Sequence, residues 1–170
     1  MADFNPAVAI TLQREGGYYH DPKTGEYAMR GITLSTLRSL GILKTKGPAL
    51  QSDVEFVKSL TEDEAKDIYM QEYWDKLNLD RLTSQDVANK VFDLAVNMGV
   101  VTSARFLQAA CGVPVDGIVG PHTIGVANAM DSGVLLAAIR AHAKNRYAEI
   151  AASNPALAPD LPGWLARLDS

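Results

Sequence analysis

Glu15, in the run Arg14-Glu15-Gly16-Gly17-Tyr18, is the residue best placed to act as an acid. Asn5-Pro6 starts a helix and Gly16-Gly17 stops it, which puts Glu15 in the last turn. There the negative end of the helix dipole disfavours a further negative charge. Phe4, Val8 and Leu12 recur every four residues, and Glu15 follows three on along the same face, where loss of water acts in the same direction. A carboxylic acid kept protonated can hand its proton to a departing sugar oxygen, the opening step of glycoside cleavage. The two glycines leave room for a polymer to approach. The competing reading is an exposed helix-end glutamate paired with Arg14.

A second group comes from the segment that follows. An inverting glycosidase sets a second carboxylate across the sugar, roughly 6.5–9.5 Å from the first, with a water between them. Asp21 and Glu26 are the candidates, Asp21 first; Thr33 is a weaker candidate that would position the water. Each has a structural alternative: Asp21 as a turn residue before Pro22, Glu26 as a solvated strand residue, Thr33 as a helix cap. Tyr18 and Tyr27 offer rings on which a sugar face could stack. Asp93 and Asn97, one helical turn apart on the polar edge of an apolar helix, either line a sugar cleft or anchor loops.

The elements that would carry these groups are mostly helical. After the first helix, residues 18–33 change character around Asp21-Pro22-Lys23-Thr24-Gly25 and read as a short β-hairpin or flap. Thr33 or Ser35 caps a helix carrying Leu34, Leu37 and Leu40 and ending at Gly41, and residues 44–54 read as a loop. Thr61-Glu62-Asp63-Glu64 is a capping box opening a helix through Ile68, Tyr69 and Tyr73, with Tyr73 and Trp74 in the core. The segment from Ser84 to Met98 is apolar nearly all round, the mark of a central helix. Gly99 closes it, and Thr102 or Ser103 starts the next, which ends at Gly112. Helices from Pro121 to about 130 and from Ser132 to about 152 follow, then a proline-rich tail that docks Trp164 and Leu165. The expected class is all-α with one small β-hairpin, a helical two-lobed fold divided into 1–98 and 99–170.

Composition narrows the chemistry. At 170 residues, 47% apolar and 21% charged, the chain suits one or two packed units. A net charge of −4 argues against a nucleic-acid partner, because a basic surface supplies most of that affinity. Cys111 is the only cysteine, so no intramolecular disulfide forms, and a buried packing thiol is expected. His20, His122 and His142 lack the HExxH spacing of a zinc hydrolase, so neither metal nor cofactor is expected. No apolar run reaches the roughly 20 residues of a membrane span, and the N-terminus lacks the pattern of a secretory signal. The expectation is a monomer made in the cytoplasm without membrane insertion, reaching any substrate outside the inner membrane through a holin or a secretion channel.

The residues also resemble a known family. Glu15-Gly16-Gly17-Tyr18, Asp21-Pro22, Gly31-Ile32-Thr33, Tyr73-Trp74 and the run from Phe92 to Gly99 are similar to glycoside hydrolase family 108, a lysozyme group of phage endolysins and bacterial muramidases. The run from Gly112 to Thr123, with Val115-Asp116-Gly117 at its centre, resembles the peptidoglycan-binding module that accompanies it. The resemblance implies a lysozyme-like fold and peptidoglycan glycan strands as partner. It also implies cleavage of the β-1,4 bond between N-acetylmuramic acid and N-acetylglucosamine, with Glu15 as the catalyst. Where family members carry a glycine pair and Thr-Asn before Gly-Ile-Thr, this chain has a slightly shorter Gly25-Glu26-Tyr27-Ala28-Met29-Arg30. The departure falls on the flap that would carry the second group, not on the acid. A lytic transglycosylase working with a lone glutamate, and an inactive wall-binding protein, are the alternatives. The Val115-Asp116-Gly117 turn reads equally as a structural turn.

Overall fold

The computed structural model describes residues 1–22, 24–42 and 53–169. They fall into two compact units, Val8–Met70 and Met1–Ala7 with Gln71–Ser170.

In the smaller unit, helix α1 (Phe4–Glu15, whose first residues belong to the other unit) leads into a three-stranded antiparallel sheet. Its strands are β1 (Tyr18–His20), β2 (Tyr27–Met29) and β3 (Ile32–Thr33), in that order, with Tyr18 opposite Met29 and Ala28 opposite Thr33. The expected hairpin thus has a third strand. The β2–β3 loop is the two residues Arg30 and Gly31, both with positive φ (+54° and +78°), the backbone that matches the strand twist in a tight hairpin. Thr33 caps α2 (Leu34–Ser39), accepting from the Thr36 amide at 3.1 Å.

The loop expected over 44–54 lies outside the described residues as far as 52, and its last two residues are helical instead. They open α3 (Asp53–Lys58), whose first turn places Asp53 and Glu55 at the positive dipole end and whose Phe56 and Val57 are buried. Helix α4 (Glu62–Tyr69) opens with the expected capping box: Thr61 and Glu64 satisfy each other's backbone amides. The expected continuation through Tyr73 is a wider, π-type turn (Met70–Trp74), which buries Trp74 and leaves Tyr73 half-buried.

The larger unit is built on α5 (Gln85–Met98), buried at 87, 88 and 90–95, as its all-round apolar pattern requires. It packs against α6 (Val100–Cys111) and α8 (Ser132–Ser153). Fully burying a side chain such as Leu94 or Ile139 contributes about 1.5–3 kcal/mol. Phe4, Trp74 and Phe92 close a triangle of edge-on rings 5.6–5.8 Å apart. Helix α6 starts two to three residues before the expected Thr102 or Ser103. Gly99, at φ +90°, turns the chain by itself, and Ser103 spends its hydroxyl on the Val91 carbonyl of α5 at 2.6 Å.

The Val115-Asp116-Gly117 turn is clamped by buried Gln108. Its amide donates to Asp116 (2.6 Å) and to the Ile118 carbonyl (3.0 Å), and it accepts from the Gly117 amide (2.8 Å). α7 (Pro121–Ala129) follows, and α9 (Leu161–Asp169) packs on α8. Arg167 of α9 pairs with Asp93 (3.0 Å), and buried Lys90 donates to the Arg167 carbonyl (3.1 Å). Cys111 is half-buried, short of the expected buried thiol, because it sits at the C-terminal end of α6, and that partial burial pushes its pKa up. Among the described residues no single helix is long and apolar enough to cross a membrane; α7 and α8 pass together but are bent by 120°.

Candidate active site

Glu15 closes α1 and is half-buried. The chain leaves it through Gly16 at φ +67°, and around both Gly16 and Gly17 a β-carbon would meet nothing within 4 Å, so the space beside the carboxyl-bearing turn is open. On its other side the packing is tight. A β-carbon on Gly31 would stand 2.7 Å from Glu15 Cγ, 2.9 Å from its Cβ and 2.5 Å from the Tyr69 hydroxyl. That hydroxyl donates to the Arg30 carbonyl at 2.8 Å, and the Arg30 amide donates to the Gly17 carbonyl at 3.3 Å. Arg30 also pairs with Glu62 at 3.5 Å. The β2–β3 turn is therefore tied to α4 and to the exit of α1, and presses its glycine on the stem of Glu15.

The three candidates for the second group are joined in one polar chain. Asp21 accepts from the Thr24 hydroxyl at 2.8 Å, and the Thr24 oxygen accepts from the Glu26 amide at 3.3 Å. Glu26 accepts from the Ser35 amide at 3.1 Å, and the Ser35 and Thr33 hydroxyls share a hydrogen bond of 2.8 Å. Thr33 bonds Thr36 as well, through both hydroxyl and amide. Asp21 thus holds the β1–β2 turn, Glu26 fastens that turn to the start of α2, and Thr33 is the α2 cap.

Tyr18, His20, Tyr27 and Met29 share one face of the sheet by register. Tyr27 stacks with His20 at 4.3 Å and with Tyr18 at 6.4 Å, and the Lys58 ammonium of α3 lies 4.9 Å from the Tyr18 ring centre. Tyr18 is 41% exposed, which leaves a ring surface for a ligand; Tyr27 is half-buried between its neighbours. Lys58 escapes a sequence reading, and so do the contacts of Gly31 and Tyr69, since only the fold brings them to this face and turn. His20 was legible, being two residues from Tyr18 on the same strand face.

Asp93 and Asn97 belong to the larger unit. Asp93 is buried and holds Arg167, and Asn97 donates to the Tyr147 hydroxyl at 2.5 Å. Asp93 thus joins α5 to α9, a helix and not a loop.

Residues 8–99 match the family model of glycosyl hydrolase 108, and residues 102–169 match that of a predicted peptidoglycan domain. Among solved structures, SagA of Brucella abortus is similar, with a TM-score of 0.80 and 28% identity, over 98% of this chain and 89% of that one. No curated protein matches the chain.

Proposed function

The chain belongs to the glycosyl hydrolase 108 family and is a peptidoglycan-acting glycosidase, and from that premise we propose that it is a muramidase with Glu15 as its general acid. The bond cleaved is the β-1,4 link between N-acetylmuramic acid and N-acetylglucosamine. The observation that carries this reading is the packing of Gly31 on the Glu15 stem: one flank of the carboxyl-bearing side chain is fixed by backbone and the other opens through Gly16 and Gly17. A general acid needs this combination, since a proton donor must hold its aim while a glycan strand lies against it. Glu15 protonates the departing oxygen, and a water attacks the anomeric carbon from the opposite face, polarised by Asp21 or Glu26.

A second reading has its own support. Asp21 and Glu26 already serve as acceptors within the flap, and a lytic transglycosylase would need neither. Mass spectrometry of digested peptidoglycan separates the two: reducing-end muramic acid supports hydrolysis, a 1,6-anhydro end supports the transglycosylase, and no soluble product supports the inactive wall-binding protein. We place catalysis in residues 1–98 and wall attachment in 99–170. The setting is a phage endolysin or bacterial wall-lytic enzyme, a monomer released to the periplasmic wall by a holin or secretion channel.

A further inference from the structure

The larger unit holds a cavity of 230 Å³ whose lining combines Trp164, Tyr147, Asn97 and Arg146 with the aliphatic Ile150 and Leu157. None of these residues lies in the unit that carries Glu15. The volume is below the roughly 300–1,000 Å³ of a pocket for a drug-sized ligand, so the cavity admits a small ring rather than an extended molecule.

The lining chemistry is directional. Trp164, half-buried, stacks on Tyr147 at 5.3 Å and 27°, so the indole is braced in place. Asn97 donates to the Tyr147 oxygen, which leaves the phenol proton and the Asn97 carbonyl oxygen as an adjacent donor and acceptor. Burial, aided by the Asp93 charge and opposed by Arg167 and Asn97, pushes the Tyr147 phenol above the ordinary tyrosine range, so it keeps its proton at neutral pH. Arg146 is held by Glu149 at 3.1 Å and retains further N–H groups. Ile150 and Leu157 add an apolar patch.

We propose that this cavity is a glycan subsite that takes one N-acetylhexosamine residue of a peptidoglycan strand. An indole suits the C–H face of a pyranose, and the aliphatic patch suits an acetamido methyl. The amide oxygen accepts from the acetamido N–H, while the phenol and the guanidinium donate to its carbonyl and to ring hydroxyls. A net charge of −4 disfavours an anionic occupant, and a neutral sugar meets no such penalty. The proposal rests on the peptidoglycan reading for the identity of the polymer, not for the chemistry of the pocket.

The protein reports on the pocket itself. It has two tryptophans, and Trp74 is sealed between Phe4 and Phe92, so a ligand-dependent change in emission comes from Trp164. Titration of the intact protein with chitotriose should give a saturable emission change. Trp164→Phe, which preserves a stacked ring, should abolish it. Arg146→Ala, on the exposed rim, should raise the midpoint roughly tenfold, the loss of about one charge-assisted hydrogen bond. A flat titration, or a midpoint that Arg146→Ala leaves within about twofold, overturns the proposal. Equal saturation by a sugar-free stem tetrapeptide makes the cavity a peptide site and overturns it too. Saturation by chitotriose in a protein that releases no glycan product keeps the subsite and removes the muramidase; product without saturation does the reverse.

Discussion

The missing β-carbon of Gly31 would stand 2.7 Å from Glu15 Cγ, closer than packed side chains ever approach. Position 31 and position 15 are therefore one constraint: whatever occupies the turn sets where the carboxyl-bearing side chain lies. Gly31→Ala adds a left-handed backbone, about 1–2 kcal/mol for a residue with a β-carbon, to that steric conflict. A melting temperature lower by roughly 4 °C or more is expected at 2–4 °C per kcal/mol. Lytic activity measured well below the melt should fall further than the lost stability explains. A variant that melts lower yet lyses at the parent rate would separate the turn from the acid.

Glu15→Gln is close to isosteric and should melt with the parent. General acid catalysis contributes about 10²–10⁴-fold, so turbidity clearance of cell walls should drop at least about a hundredfold. Clearance above about a tenth of the parent rate would remove Glu15 from the reaction.

Chelation should change nothing. Walls digested after extensive EDTA dialysis should clear at the undialysed rate, and a loss restored by zinc or calcium would contradict the acid–base scheme.

The flap carboxylates are distinguished by paired variants. Asp21→Asn keeps an acceptor for the Thr24 hydroxyl, and Glu26→Gln keeps one for the Ser35 amide, so each should cost less than about 1 kcal/mol. If Asp21 polarises the water, its variant loses activity by tenfold or more, while Glu26→Gln loses little. Full activity in Asp21→Asn would leave it a turn residue and pass the role to Glu26 or to a water on Thr33.

The Asp116 turn gives an acid-side signature. The bond from Gln108 first, then that from the Ile118 amide, holds this carboxyl below the ordinary aspartate range. A folded-state value below the unfolded ~3.9 means that the stabilisation is fully present above about pH 4 and disappears as pH falls through the lower value. Asp116→Asn should therefore melt below the parent at neutral pH, with the gap narrowing as the pH falls below about 4. A gap that does not narrow in acid would show that the clamp does not depend on the charge.

How much of this the sequence discloses depends on the reach of each interaction. The α4 capping box, the glycine stop of α1 and the all-round burial of α5 are local patterns and were legible. So were Asp21, Glu26 and Thr33 as a group, though not the chain through Thr24 and Ser35 that joins them. Helix α3 is too short for a periodic signal, and the start of α6 rests on one backbone angle at Gly99. The Tyr69 bond to Arg30 spans 39 positions and the Asn97 bond to Tyr147 spans 50, and nothing in either neighbourhood announces the partner.

The tie between α5 and the last helix bears on how the molecule opens. Asp93 and Lys90 are buried in α5, and both reach Arg167. If α9 lifted away, it would break both bonds to Arg167 and uncover Leu168, a cost above that of an ordinary fraying terminus. Helix α9 should therefore exchange its amide hydrogens together with α5, as part of one cooperative unit, and behave as the closing piece of the larger unit's core.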